Sequence, residues 1–325
     1  MDYPICAKNP LLKQLHHRDI DEQAARLSGY DQSYQQISKG SFVGTFSSCE
    51  LDAELGLYFE ATNQVLYQVG TVPDKFYAVG LLMDTGKPLI FNCESLPRGG
   101  AFILPPRSVM DGTSSPNMKI CIVHVSGDLL RQAFQHQYHE YRPFRPEYIP
   151  YKLVTNAQDT QPLHSLLEDF LNGAAQGQLS LESANQLAAF KNILIETIGA
   201  LFVAKRGHGR IRIRNKHHRL FHDALDIIED NLCEELTVGK LCKELLVSRR
   251  NLEYIFNENI ETSPARYIRV LRLNNIRREI LSTEAGTLGD IAAKWGIWHL
   301  GRFARDYYQL FGELPSATRG SVDRR

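Results

Sequence analysis

The spacing of apolar positions divides the chain into a strand-rich part followed by a helix-rich part. Residues 1 to 35 are mostly polar and predict a partly helical lead-in. Residues 41 to 125 hold short runs of β-branched and aromatic residues between Gly, Pro, Asp and Asn, a pattern typical of a small cupin-like barrel or sandwich. The strand-like runs are FVGTFSSCEL, QVLYQVGTV, FYAVGLLMD, AFILPP and MKICIVHV.

Helical periodicity begins after the last strand-like run. It predicts one helix over residues 127 to 139 and, after three helix-breaking prolines, two more over residues 161 to 173 and 181 to 205. The last helix carries an apolar stripe made of Leu187, Leu194, Ile198 and Leu201. We expect this stripe to pack on the strands of the same chain or on a second copy of it.

An internal repeat occupies the chain from residue 220 onward, where the pattern is wholly helical. Thr237 and Thr287 each precede a short amphipathic helix, and the two copies align there with a shift of 50 residues. The second helices align with a shift of 51, which pairs Leu252 with Phe303, so the second turn is one residue longer. Each copy has the pattern of a helix-turn-helix unit, and the whole chain is predicted to be an α+β protein with an all-α C-terminal domain.

The second helix of such a unit enters the major groove of DNA, so its outward positions should be polar. Arginine can form paired hydrogen bonds with guanine, and asparagine can form them with adenine. The predicted DNA-reading residues are Arg249, Arg250, Asn251, Glu253 and Tyr254 in the first unit and His299, Gly301, Arg302 and Arg305 in the second. Phosphate contacts are predicted for Thr237, Ser248, Arg266, Arg278, Thr287 and Trp298, and packing against the preceding helix is the other interpretation of Trp298.

A basic helix is predicted between the two units, beginning at Ser263 with Pro264 in the first helical position. A helix of about 20 residues spans about 30 Å, close to one turn of DNA. It could therefore hold two reading helices in successive major-groove segments on one face of a duplex. An ordinary helical bundle with one cationic face is the alternative, but it would leave the repeat and the helix caps unexplained.

The charge of the chain is zero overall but unevenly distributed. Residues 1 to 204 have a net charge of −6, whereas residues 205 to 325 have a net charge of +6. Residues 205 to 219 contain seven Lys and Arg and no acidic residue, and we interpret them as a basic linker that contacts phosphate or is simply solvated. At 325 residues the chain suits two domains.

Candidate catalytic and metal-binding residues are few. The six cysteines are far apart and form no C-x-x-C pair, so we expect reduced, mostly buried thiols. Residues 35 to 123 contain no histidine, and His124 follows alone, which argues against a metal-dependent enzyme of cupin type. A second group comprises His136, Tyr138, His139 and Glu140, and exposed helix histidines that bind nothing are the commoner case.

The sequence therefore predicts a protein that is not an enzyme and has no metal or cofactor. With no signal peptide and no run of about 18 apolar residues, we expect it in the cytoplasm without a membrane partner. Two alternatives are a barrel that is an enzyme or metal-binding domain fused to a DNA-binding module, and an architectural DNA binder without sequence preference. The mixed polar faces of the two reading helices favour sequence readout.

The C-terminal part resembles the AraC/XylS family of transcription regulators. The closing pattern of that family is matched by Ile291, Ala292, Gly296, Phe303, Arg305, Phe311, Gly312, Pro315, Ser316 and Arg319. Departures from the family pattern are Glu261, Ile297, Tyr307 and Thr318. The stretch WGIWHLGRFARDYYQLFGELPS further resembles the branch that contains the ethanolamine operon regulator, which also includes virulence and quorum-related regulators.

The resemblance implies a division of labour along the chain. Residues 1 to 204 would form a sensing or dimerisation domain, residues 205 to 219 the linker, and residues 220 to 325 the DNA-binding domain. The implied function is that of a transcription regulator, more often an activator, which binds double-stranded promoter DNA and recruits RNA polymerase. A small-molecule effector would bind within residues 40 to 125, and the protein would form a homodimer.

Overall fold

The computed structural model describes residues 12–92, 94–137, 151–178, 183–204, 216–282 and 286–322. The described residues fall into two compact units. The first unit takes its residues from Met1–Ser33, Val43–Asn63 and Gln68–Ile211, and the second from Tyr34–Phe42, Gln64–Tyr67 and Arg212–Arg325.

Twelve strands are described, and they form two sheets. They are β1 (Lys13–His17), β2 (Ser33–Gln36), β3 (Gly44–Glu50), β4 (Leu55–Thr62), β5 (Leu66–Thr71), β6 (Phe76–Asp84), β7 (Leu89–Phe91), β8 (Glu94–Leu96), β9 (Ala101–Leu104), β10 (Val109–Thr113), β11 (Met118–Ser126) and β12 (Lys152–Val154). The seven-stranded sheet has the order β1-β3-β4-β11-β6-β9-β12, and the five-stranded sheet the order β2-β5-β10-β7-β8.

Strand β11 lies at the centre of the seven-stranded sheet. Its residues are apolar on both faces because each face contributes to a core cluster. It pairs antiparallel with β4 and β6, so that Cys121 lies opposite both Phe59 and Leu81. Ile120 and Ile122 point into one core cluster, and Cys121 belongs to another, because successive side chains of a strand alternate between faces. The first cluster takes residues from both sheets, and the second takes residues from the sheet and from helices.

Four helices are described in the first unit: α1 (Ile20–Ala24), α2 (Gly127–Gln137), α3 (Ala157–Ala175) and α4 (Ala184–Val203). The apolar stripe of α4 packs within its own chain, since Leu194, Ile198 and Leu201 are fully buried and Leu187 packs against the same core. The stripe therefore packs on a core of its own chain to which α3 also contributes. By length and composition alone α4 is apolar enough to cross a membrane, a test that the core helix of a globular protein also passes.

The predicted strand-like runs are confirmed as β3, β5, β6, β9 and β11. The prediction for the first 35 residues was wrong in part, because β1 and β2 lie there beside the short helix α1. Strand β4 was also missed. All eight of its residues are buried, including Glu60, which accepts a hydrogen bond from Gln23 Nε2 at 2.8 Å, so it lacks the alternation of a half-exposed strand.

His124, the histidine that follows the long histidine-free stretch, lies on β11 inside an aromatic cluster. Its ring stacks on Phe76 with centroids 3.6 Å apart, and the hydroxyl of Tyr30 is hydrogen-bonded to its Nδ1 at 3.0 Å. Burial lowers the pKa of His124 to about 4, so the ring is neutral near pH 7. The group around His136, Tyr138, His139 and Glu140 lies outside the residues whose side chains are described.

The expectation of mostly buried thiols is met by two of the four described cysteines. Cys49 and Cys121 are buried, and Cys242 is partly buried, whereas Cys233 is exposed. Burial in the core raises the pKa of Cys49 to about 12, which leaves this thiol unreactive as a nucleophile.

The second unit is built mainly from seven helices. They are α5 (Lys216–Asp230), α6 (Val238–Glu244), α7 (Arg249–Ile260), α8 (Pro264–Ser282), α9 (Leu288–Lys294), α10 (Leu300–Phe311) and α11 (Pro315–Val322). Of the predicted basic linker, residues 205–215 lie outside the described part of the chain, and its last four residues begin α5.

Candidate nucleic-acid interface

The first helix-turn-helix unit consists of α6 and α7, and both helices begin where the sequence places their caps. The side chain of Thr237 accepts a hydrogen bond from Lys240 N, and that of Ser248 accepts one from Asn251 N at 3.2 Å. Each cap satisfies one of the backbone N–H groups that a helix start leaves unpaired. The core of the unit consists of the fully buried side chains of Leu241, Leu252, Ile255 and Phe256.

The predicted reading residues of the first unit lie on the outer face of α7. Arg249, Arg250, Glu253 and Tyr254 are exposed, and Asn251 is partly exposed. Arg249 Nε donates to Glu253 Oε1 at 3.0 Å, one helical turn away. A surface ion pair of this kind contributes less than about 1 kcal/mol to stability. It therefore orients Arg249, and a ligand can replace Glu253 at little energetic cost.

The second unit consists of α9 and α10. Thr287 and Asp290 form a reciprocal capping box at the start of α9, and the backbone N–H of Thr287 holds the pKa of Asp290 below its usual range. Buried Phe303 and Tyr307 form the inner face of α10. The turn before α10 and the outer face of this helix present all four predicted reading residues and Trp298. These exposed residues are Trp298, His299, Gly301, Arg302 and Arg305.

The turns of the two units have the same geometry except that the second turn contains one additional residue. The structure identifies this residue as Trp298. Leu246 and Gly296 occupy the same place after the first helix, with φ of 54° and 71°. Val247 N and Ile297 N then each donate to the carbonyl five residues earlier. The next residue is already the N-cap in the first unit, whereas Trp298 precedes the N-cap His299 in the second. Trp298 is 74% exposed, which argues against the packing role considered for it.

A glycine at position 246 should stabilise the first unit. Leu246 is 91% exposed and adopts a left-handed conformation that costs a residue with a Cβ about 1 kcal/mol. Leu246→Gly should therefore raise the thermal unfolding midpoint of the full-length chain, measured by loss of helical ellipticity. Leu246→Ala keeps the Cβ while removing the exposed apolar side chain. If the alanine variant melts as high as the glycine variant, backbone strain is not the cause.

Helix α8 joins the units and begins at Pro264 as predicted. Its 19 residues span about 28 Å. The helix is buried on several sides rather than presenting one cationic face to solvent. The buried residues are Pro264, Tyr267, Ile268, Val270, Leu271, Leu273, Asn274, Ile276 and Ile280.

The arginines of α8 have different surroundings. Arg278 donates to Tyr34 O and to Gln35 Oε1, so its guanidinium already has backbone and side-chain acceptors within the protein. Arg272 likewise donates to the carbonyls of residues 232 and 234, and burial lowers its pKa. Arg266 is exposed as expected for a phosphate contact.

A cleft of about 320 Å³ lies between α6, α8 and the turn of the second unit. Asp306 lies on its wall within 3.5 Å of Arg269 Nη1 and 3.7 Å of Arg302 Nε. Arg302 is 63% exposed, so this weak pair leaves its guanidinium free to turn outward. Taken together, the two outer faces carry cationic and amide donors on rigid helices, which is the chemistry that base edges and phosphates require.

Comparisons with known proteins point to the same helices. The family described as helix-turn-helix domain matches residues 241–321. The chain is 35% identical over 104 residues to the "Probable thc operon regulatory protein" of Rhodococcus erythropolis, which covers 31% of each chain. It is 36% identical over 100 residues to the XylDLEGF operon transcriptional activator 3 of Pseudomonas putida, covering 30% of each.

These alignments span about one third of the length of the relatives. The solved structure titled AraC-like transcriptional activator CuxR aligns with 87% of this chain and all of its own, with 17% identity and a TM-score of 0.43. The part of the chain from residue 241 to residue 321 thus matches the helix-turn-helix family, and its relatives are named as an operon regulatory protein and an operon transcriptional activator.

Proposed function

We propose that this protein is a sequence-specific transcription regulator that reads two successive major-groove segments of promoter DNA. The observation that carries the proposal is the pair of helix-turn-helix units with exposed polar reading faces, joined by α8. The helix length of about 28 Å is close to the 34 Å of one turn of DNA. The names of the relatives, an operon regulatory protein and an operon activator, support this function.

The two units should contribute differently to recognition. The Arg249, Arg250 and Asn251 face of α7 offers the side chains that discriminate guanine and adenine. The outer face of α10 is thinner and includes Gly301, so we expect it to contribute more through backbone contacts. Phosphate contacts are proposed for the cap residues Thr237, Ser248 and Thr287, for Arg266 and for Trp298, and for the basic residues of 205–219.

The remaining parts of the proposal concern the whole chain. Residues 1–204 would sense a small molecule within 40–125 and form a homodimer, and residues 220–325 would bind DNA. Activation through RNA polymerase in the cytoplasm is proposed because two relatives are named activators or operon regulators. Membership of the branch that contains the ethanolamine operon regulator is proposed on the resemblance of the C-terminal stretch, and this branch includes both metabolic and virulence regulators.

Selection from a pool of randomised duplexes tests the function. The full-length chain should enrich one sequence, and chemical footprinting on the enriched duplex should show two protected major-groove segments about 10 base pairs apart on one face. Binding should weaken steeply with salt because phosphate contacts release counterions. If the protein retains duplexes but enriches no sequence, it is an architectural DNA binder. If it retains no duplex, DNA binding is rejected altogether.

A further inference from the structure

Two short segments from the strand-rich part of the sequence belong to the same compact unit as the DNA-reading helices. They are Tyr34–Phe42, here termed the strap, and Gln64–Tyr67. The segments bind each other, since Ile37 N donates to Val65 O and Val65 N donates to Ser38 Oγ, both at 2.8 Å. They therefore act as one element within the second unit.

The strap is held on α8 by a buried side-chain amide. Asn274 Oδ1 accepts from Gln36 N at 3.1 Å, and Asn274 Nδ2 donates to Gln36 O at the same distance. Both residues are 1% exposed. Asn274 thus forms with the backbone of the strap the pair of hydrogen bonds that a neighbouring strand would form. Breaking this pairing would leave buried polar groups without partners.

The strap also covers the C-terminal end of α10, the second reading helix. Gln36 Nε2 donates to Leu310 O at 2.6 Å, and Gly40 N donates to Leu310 O and Gln309 O at 3.0 and 3.2 Å. These carbonyls belong to the last turn, where a helix has no internal donors to offer. A Cβ on Gly312 would lie 2.2 Å from Ser41 Oγ, so the strap runs directly over this glycine.

The second segment reaches the first helix-turn-helix unit. The ring of Tyr67 packs edge-on against Phe221 of α5 and Tyr267 of α8, with centroids 6.0 and 6.3 Å apart. Phe221 in turn packs against Phe256 of α7, the first reading helix. Through the two joined segments, a continuous chain of contacts thus runs from the core beneath α7 to the end of α10.

We propose that the strap positions the second reading helix. Gln36 and Gly40 fix the C-terminal end of α10, and Asn274 fixes the strap on α8, so α10 presents its outer face at a set orientation to α7. This proposal rests on the proposed function, because it names Gln36, Gly40 and Asn274 as positioning residues for the same DNA-reading surface. None of the three needs to touch DNA.

Gln36→Leu in the full-length chain tests this role, because leucine keeps the volume and removes the donors to α10. The probe is the duplex enriched by the wild-type chain, with each protected segment scrambled in turn. One of the two segments should be identified as the one that α7 reads, because scrambling it should no longer weaken the binding of the Arg250→Ala variant. Gln36→Leu should bind the intact duplex about tenfold more weakly and should lose sensitivity only to scrambling of the other segment.

Lys39→Ala is the matched control, since Lys39 lies in the same strap and donates to the exposed side chain of Gln309, at Oε1, at 2.7 Å. It should bind like the wild-type chain. If Gln36→Leu is insoluble, Gln36→Asn, whose shorter amide does not reach Leu310, replaces it. Unchanged binding, or an equal loss of sensitivity to both segments, would overturn the proposal.

Amide hydrogen exchange separates failure of this proposal from failure of the proposed function. In Gln36→Leu the last turn of α10 should exchange faster than in the wild-type chain, while α7 stays protected. This holds even if no duplex is enriched. Equal protection of α10 in the variant and the wild-type chain would reject the strap as a positioning element whatever the DNA result.

Discussion

Arg250→Ala is expected to weaken binding to the enriched duplex by about 1 to 3 kcal/mol, which corresponds to about 5- to 150-fold in affinity. Arg250 is exposed in the first turn of α7, directly after the Ser248 cap, where a reading helix meets base edges. A base contact is lost only on the cognate sequence. Binding to a scrambled duplex should therefore change little in a gel-shift titration at fixed salt.

Arg98→Ala is a suitable control for this comparison. Arg98 is also a surface arginine, 66% exposed, but it lies in the first unit beside Asp84. Its replacement should leave binding to both duplexes unchanged. Equal losses by Arg250→Ala on the cognate and scrambled duplexes would assign Arg250 to phosphate contact instead of base reading.

Gly80→Ala is expected to destabilise the first unit by about 3 kcal/mol, a large cost for one methyl group in a packed core. The end of the Phe102 ring lies over Gly80, and a Cβ there would come within 2.0 Å of its Cζ and 2.3 and 2.5 Å of its two Cε atoms. Phe102 is 1% exposed and stacks on Phe91 with centroids 4.2 Å apart, so the ring has little room to move. Urea unfolding of the full-length chain measures the loss.

A double-mutant cycle with Phe102→Leu identifies the cause. If the ring is the obstacle, Gly80→Ala should cost much less in the Phe102→Leu background than in the wild-type chain. Gly86→Ala, whose Cβ would meet its nearest atom at 3.5 Å, should change stability by less than about 0.5 kcal/mol. Additive effects of the two core substitutions would contradict the proposed clash.

Features that depend on a few neighbouring residues were predictable from the sequence. The caps Thr237, Ser248 and Thr287 bond to backbone groups three residues away, and all three start their helices as expected. Most strand-like runs were also found, because β-branched and aromatic clusters between turn residues mark strands locally. The outward positions of α7 and α10 followed from helical periodicity once those starts were known.

Features that depend on distant partners were not predictable in the same way. Strand β4 contains the polar Glu60, which is buried because Gln23, 37 positions away in the chain, donates a hydrogen bond to it. Arg278 was assigned to phosphate, yet its acceptors lie on residues 34 and 35, which are 244 and 243 positions away in the chain. The strap itself has no motif, since its hydrogen bonds to the backbone of α10 use the side chain of one glutamine and the backbone N–H of one glycine. Only tertiary structure brings these groups together.

The strap also has a consequence for how the protein is made. Gln36 and its acceptor on Leu310 are 274 residues apart, so the strap emerges from the ribosome long before the helix that it holds. The DNA-reading unit therefore matures only after α10 has been translated, and a product terminated before α10 would expose the strap without its partner. Contacts this distant are slow to form, so we expect helices α5 to α9 to fold before α10 is locked in place.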